Sequence, residues 1–209
     1  MNFLIHPLNL TSWQTLLYFM LCCATFASTS LQAEESIPAA RQSNAPAFTR
    51  TVVSYVTPDV SVIREDGKRL PFLKELDDGR PVIMNFIFAS CSAICPMLSH
   101  VFSKVQTNLG KDSEKVHMVS ISIDPENDTP AKLTEYAKKF GAGPNWNYYT
   151  GTVGSSIAIQ KAFSAYRGDK MNHTSLILVR AAPGKPWTRL EGFVNPDAVV
   201  NEYRTLSKQ

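Results

Sequence analysis

The chain has 209 residues, 44% of them hydrophobic and 19% charged, with a formal net charge of +3. That length holds one domain with a sizeable core plus a leader. So mild a charge, with no basic stripe interleaved with aromatics, excludes nucleic-acid binding.

Residues 1–33 contain no Asp, Glu, Lys or Arg. Their apolar centre, Leu16 to Ala27, has the length of a signal-peptide core and is short for a membrane span. Ala33, just ahead of Glu34 and Glu35, suits a cleavage point. The first residues offer His6 but no Lys or Arg, so a retained N-terminal membrane anchor is the alternative. Cys22 and Cys23 fall in this leader and read as apolar filler. Residues 34–50, beginning EESIPAARQSNAPAF, read as a flexible tether. Residues 51–209 are left as the folded domain, and Cys91 and Cys95 as its only thiols. An exported domain with one close cysteine pair is not a disulfide scaffold.

Within the domain, Thr51 to Val56 and Val60 to Arg64 read as short strands. Asp66-Gly67 is a hairpin turn, with Lys68 to Phe72 returning, and Leu73 to Leu76 suit a helical turn. The unbroken apolar run Val82 to Ala89 predicts a strand buried on both faces. Cys91, Cys95 and Pro96 follow it. A helix then runs through Met97, Val101, Val105 and Leu109 to about Gly110. Val116 to Ile123 predicts the next strand, ending in DPENDTP. Thr129 with Pro130 marks a helix start, and that helix stops near Gly141. Asn147 to Thr150 predicts a short strand, and Ser155 or Ser156 opens a helix through Ile159, Phe163 and Tyr166. Thr174 to Val179 and Thr188 to Val194 predict strands around the Pro183-Gly184 turn. Asn195-Pro196 starts a C-terminal helix. Strands alternating with helices from residue 82, closed by a hairpin, predict an α/β class with a mixed central sheet and an antiparallel edge. A cysteine pair between strand and helix in such a chain suggests a thioredoxin-like fold, with one residue more between the thiols than in C-x-x-C.

The pair sits where a central strand ends and a helix begins. Unpaired N–H groups and the helix dipole there favour thiolate, the form that attacks disulfides and binds soft metals. If the first helical turn reaches back to Cys91, the two thiols share one face. A merely structural disulfide across so short a loop would contribute only ~2 kcal/mol. His173, in KMNHTSLIL, precedes a strand. It reaches the thiols only through a loop or an antiparallel strand, because parallel strands enter from the opposite edge. His100 reads as surface or helix packing, His117 as structural, and Met97 and Met171 as core. Asp128 prepares the helix start at Thr129, and Asp124 is placed to position a loop or a partner.

These segments together resemble the Sco/SenC family of copper-binding, thioredoxin-like proteins that assist cytochrome c oxidase assembly. SCSAICP is similar to its Cys-x-x-x-Cys-Pro. SISIDPENDTP with LTEYAKKFG is similar to its Ser-x-Asp-Pro-x-x-Asp-Thr-Pro segment and helix. YRGDKMNHTSLILV is similar to its late histidine and strand. The likeness spans roughly residues 54 to 206. It implies that Cys91, Cys95 and His173 are copper ligands, and that two thiolates and an imidazole hold Cu(I), or Cu(II), as cargo. It implies an exported protein, periplasmic, soluble or anchored to the outer face of the inner membrane. The implied partner is the copper-bearing subunit of cytochrome c oxidase or another periplasmic copper or thiol protein. Two departures stand out. Ser90, Ser92, Ala93 and Ile94 replace the family's frequent His-Cys-Pro-Asp-Val-Cys surroundings, and Asn172 replaces its Asp before the late histidine. The alternative is a thiol–disulfide oxidoreductase in which Cys91 and Cys95 are the catalytic redox pair. A peroxidase is a third class, but no Pro-x-x-x-Thr-x-x-Cys segment precedes Cys91.

Overall fold

The computed structural model describes residues 47–208. The expected leader and nearly all of the expected tether lie outside those residues. The strands are β1 (Phe48–Val53), β2 (Ser61–Arg64), β3 (Arg69–Pro71), β4 (Val82–Ile87), β5 (His117–Ser122), β6 (Trp146–Gly151), β7 (Leu176–Arg180) and β8 (Trp187–Gly192). The helices are α1 (Phe72–Leu76), α2 (Ile94–Leu109), α3 (Pro130–Lys139), α4 (Val153–Ala162) and α5 (Pro196–Leu206), with 3-10 turns at Gly110–Lys115 and Lys170–Asn172. One sheet forms in the order β1-β8-β7-β4-β5-β6-β2-β3.

The apolar run became the sheet's central strand. All six residues of β4 are buried, as expected for a strand covered on both faces. It pairs in parallel with β5, and β5 in parallel with β6. On its other side it pairs antiparallel with β7, which continues antiparallel to β8 and β1. The expected mixed sheet, antiparallel edge and β2–β3 hairpin are all present. The first strand starts earlier than expected, at Phe48, and pairs along β8 at the sheet's far edge.

Alternation along β4 splits the core in two. Ile83 and Ile87 face a cluster with Leu98, Phe102, Val105, Trp146 and Tyr203. Val82, Met84 and Phe86 face Phe72, Tyr149, Ile159, Phe163 and Trp187 on the other side. Helix α2 therefore buries Leu98, Phe102, Val105 and Leu109. Met97 is left 38% exposed, which corrects its expected core position.

Helix starts follow cap chemistry. Thr129 and Asn195 cap α3 and α5, each followed by proline at the first helical position, where the missing N–H costs nothing. Helix α4 differs from expectation. Its cap is Thr152, whose hydroxyl accepts from the Ser155 N–H. Ser156 instead donates to the Ser122 carbonyl, joining the helix to the sheet. The helix also stops at Ala162, well before Tyr166, and Ser164 turns the chain with a positive φ of 53°.

Candidate metal centre

The thiol loop grows directly out of β4. Its first amides are already committed: the Phe88 N–H points at Cys95 Sγ at 3.4 Å, and the Ala89 N–H donates to the Asp128 carboxylate at 3.1 and 3.2 Å. The Cys91 N–H then donates to the Phe88 carbonyl at 3.1 Å, closing a turn. Helix α2 begins only at Ile94, so Cys91 lies just before the helix and does not share its face with Cys95. The geometry brings the sulfurs together all the same. The Cys95 N–H donates to Cys91 Sγ at 3.4 Å, so the first sulfur serves one of the helix's unpaired amides.

His173 arrives by the antiparallel route. Because β7 runs opposite to β4, its N-terminal entry lies beside β4's C-terminal end, where the thiol loop begins. His173 stands just ahead of β7, 8% exposed, with Nε2 3.3 Å from Cys95 Sγ. Its ring packs edge-to-face with that of Phe88, the centroids 5.5 Å apart. The donor atoms of Cys91, Cys95 and His173 all lie within 4.8 Å of one another. Metal–nitrogen and metal–sulfur bonds of the 2.0–2.3 Å kind known from zinc place three trigonal donors about 4 Å apart. The spacing therefore suits a single ion, and two sulfurs with one imidazole suit a soft one such as Cu(I).

The two thiols are free and unlike. Burial alone would raise the Cys91 pKa, but the N–H groups of Cys95, Ala93 and Ile94 and the Cys95 thiol outweigh it, and the pKa falls below the ordinary thiol value. Cys95 is fully buried. Burial pushes its thiol well up, helped by the Cys91 sulfur and the Asp128 carboxylate and opposed by the Phe88 N–H. Burial also lowers the His173 pKa, which favours the neutral ring, the form that binds metal.

Other expectations are corrected or extended. Asp128 does more than precede a helix. It is 1% exposed, and besides Ala89 it accepts from the Ser122 hydroxyl at 2.7 Å, locking the thiol loop to the end of β5. Burial raises its pKa despite those hydrogen bonds. Asp124 does position a loop: the Lys170 ammonium lies 2.7 Å from its carboxylate. His117 is structural and buried, and His100 is exposed on α2. Met171 is 70% exposed, not core. Asp128 falls within the DPENDTP motif, but its hydrogen bond from Ala89, 39 residues away, is not legible there, and neither is the contact of Lys170 with Asp124, 46 residues away.

Sheet, helices and a dithiol-plus-imidazole cluster at the strand ends define a thioredoxin-like protein with a soft-metal or redox centre. The SCO1/SenC family model matches residues 58–208, and the chain belongs to that family. "Protein SCO1 homolog 1, mitochondrial" of Arabidopsis thaliana is 35% identical over 164 residues, covering 71% of this chain and 47% of that protein's length. BsSco, described as a member of the Sco family of cytochrome c oxidase assembly proteins with a disulfide switch, superposes with a TM-score of 0.62 at 26% identity, over 77% of this chain and 98% of BsSco. Bradyrhizobium japonicum ScoI, solved with copper bound, has the same fold, with a TM-score of 0.60 at 24% identity over 72% of this chain and 99% of ScoI. Among the described residues no helix is long and apolar enough to cross a membrane.

Proposed function

We propose that this chain is an exported copper metallochaperone, binding one copper ion through Cys91, Cys95 and His173. It then delivers that ion to a respiratory cytochrome c oxidase, or prepares the oxidase's copper site. The observation that carries this is the convergence of three soft-metal donors from segments 78 residues apart. The copper-bound ScoI and the oxidase-assembly role of BsSco support the cargo and the destination.

The protein's own groups divide the work. The N–H groups at the start of α2 favour the Cys91 thiolate, the form that takes the ion. Cys95, buried behind it, loses its proton as the ion's charge arrives. His173 completes the set from the other side of the crevice. Three donors leave one side open for a partner's ligands. The copper-bearing subunit of the oxidase, or another periplasmic copper or thiol protein, is the partner, and the periplasmic side of the inner membrane the location.

Anaerobic Cu(I) titration of the reduced protein tests this. The expected result is one ion per chain, with affinity falling when Cys91, Cys95 or His173 is replaced. Equal stoichiometry and affinity in His173→Ala would sink the three-ligand model.

The second reading is a thiol–disulfide oxidoreductase, favoured by the inequality of the thiols. The half-buried, low-pKa Cys91 attacks a partner disulfide as thiolate, forming a mixed disulfide and releasing one partner thiol. Cys95, once deprotonated, displaces the second. The partner leaves with two electrons and two protons, and the chain is left with a Cys91–Cys95 disulfide. A reduction potential outside roughly −120 to −270 mV counts against it.

A further inference from the structure

We propose that Lys170 is a positioning residue for the copper site, acting through the ion pair with Asp124 to set His173 over the thiols. The proposal rests on the copper function above.

The segment that delivers His173 has little regular structure to hold it. After α4 the chain passes Ser164, at φ 53°, and Gly168, at φ 78°. It then makes a single 3-10 turn, Lys170–Asn172. Most of its polar bonds stay within the segment. The Arg167 guanidinium donates to the Ser164 and Tyr166 carbonyls, both at 3.1 Å. The Asp169 side chain accepts from the Met171 N–H at 2.8 Å. Among the described residues, two polar contacts leave residues 167–172 for the body of the domain. One is Arg167 to Glu191 at 3.5 Å. The other is Lys170 to Asp124 at 2.7 Å, three residues before the imidazole.

The anchor is firm. Asp124 is 5% exposed at the end of β5. Its N–H donates to the Ser122 hydroxyl, and its carboxylate accepts from the Asn127 amide at 3.0 and 3.2 Å. A carboxylate so buried favours a fixed cation beside it. Lys170 also lies over the Phe88 ring, 5.6 Å from its centroid. That ring is the one packed edge-to-face with His173.

Metal-binding histidines are usually oriented by a hydrogen bond on the second ring nitrogen. Here His173 Nδ1 is buried and has no hydrogen-bond partner among the described residues. Asn172, beside it, is exposed. Orientation therefore falls to the backbone on one side of the ring and to Phe88 on the other. The Lys170–Asp124 pair fastens that backbone ahead of the ring, as the hydrogen bonds between Ser175 and Gly192 do behind it, and Lys170 also touches Phe88.

The test measures Cu(I) affinity of the reduced protein by competition with a chromophoric chelator. Lys170→Met is expected to weaken it about 10-fold, the low end for groups that orient ligands, with Lys170→Arg close to wild type. Asp124→Asn removes the same pair from the other side and should match Lys170→Met. In a His173→Ala background, Lys170→Met should cause no further loss, since the pair acts through the imidazole. On Cu(II), the nitrogen hyperfine coupling should change in Lys170→Met and remain in Lys170→Arg. Unchanged affinity in Lys170→Met, or the same loss with and without His173, overturns the proposal while leaving the copper function standing. A wild-type protein with no copper affinity overturns both.

Discussion

His117 and His173 are both buried beside the central strands, and burial lowers the pKa of both. They differ in what their ring nitrogens meet. His117, at the entry to β5, has Nδ1 3.1 Å from the Glu75 carbonyl and Nε2 3.2 Å from the Tyr149 hydroxyl. The Tyr149 hydroxyl also lies 2.7 Å from the Glu75 carboxylate, so its one proton is shared between that oxygen and the imidazole. That end of the sheet is a closed polar network. His173, at the other end, has one nitrogen on a cysteine sulfur and the other without a partner among the described residues. A histidine with both nitrogens paired holds a fold together. One aimed at a thiol pair, in a loop fastened by an ion pair, leaves bonding capacity for something else.

The sharpest way to break this contrast is to remove each ring in turn. His173→Ala should lose more Cu(I) affinity than the roughly 10–100-fold that changes behind a ligand cost, with folding stability little altered. Next in size is Asp128→Ala, which strips partners from the Ala89 N–H and the Ser122 hydroxyl. It should cost roughly 2–3 kcal/mol in denaturant unfolding and loosen the thiol loop. His117→Ala should cost roughly 2 kcal/mol through its lost hydrogen bonds and leave the copper affinity of the folded protein unchanged. Equal copper loss in both histidine variants would erase the distinction between the two ends.

Smaller effects sharpen it further. With limiting iodoacetamide, Cys91 should be alkylated first and at lower pH than Cys95, as seen by peptide mass mapping. Equal rates would contradict the inequality of the thiols. The pH dependence of stability has a definite sign. Both imidazoles have pKa values below the unfolded value of 6.5, so the metal-free folded state binds fewer protons than the unfolded chain. Their contribution is fully present above that value and is lost as pH falls below it through the lower folded-state values. His117→Gln should flatten the stability profile between pH 7.5 and 5.

The regular parts of this molecule were legible because their causes are local. The apolar run Val82–Ile87, the Thr129-Pro130 and Asn195-Pro196 caps and the Asp66-Gly67 turn each carry their reason within a few residues. Around α4 three hydroxyls, Thr152, Ser155 and Ser156, compete for the same cap. The choice is made by where the sheet needs a donor, which a linear pattern does not contain. The site divides the same way. Cys91 and Cys95 announce themselves by spacing after a strand. His173 was singled out through resemblance and a topological argument, and it depends on β7 running antiparallel to β4. Asp128 is legible only for the helix start, and Lys170 not at all, because the contacts that matter, with Ala89 and Asp124, lie 39 and 46 residues away.

Copper K-edge X-ray absorption on the Cu(I)-loaded protein tests the central claim most directly. The account predicts two sulfurs and one imidazole nitrogen at bonding distance from a single copper, with the nitrogen gone in His173→Ala. A wild-type spectrum with sulfur ligands alone, unchanged by that substitution, would contradict it.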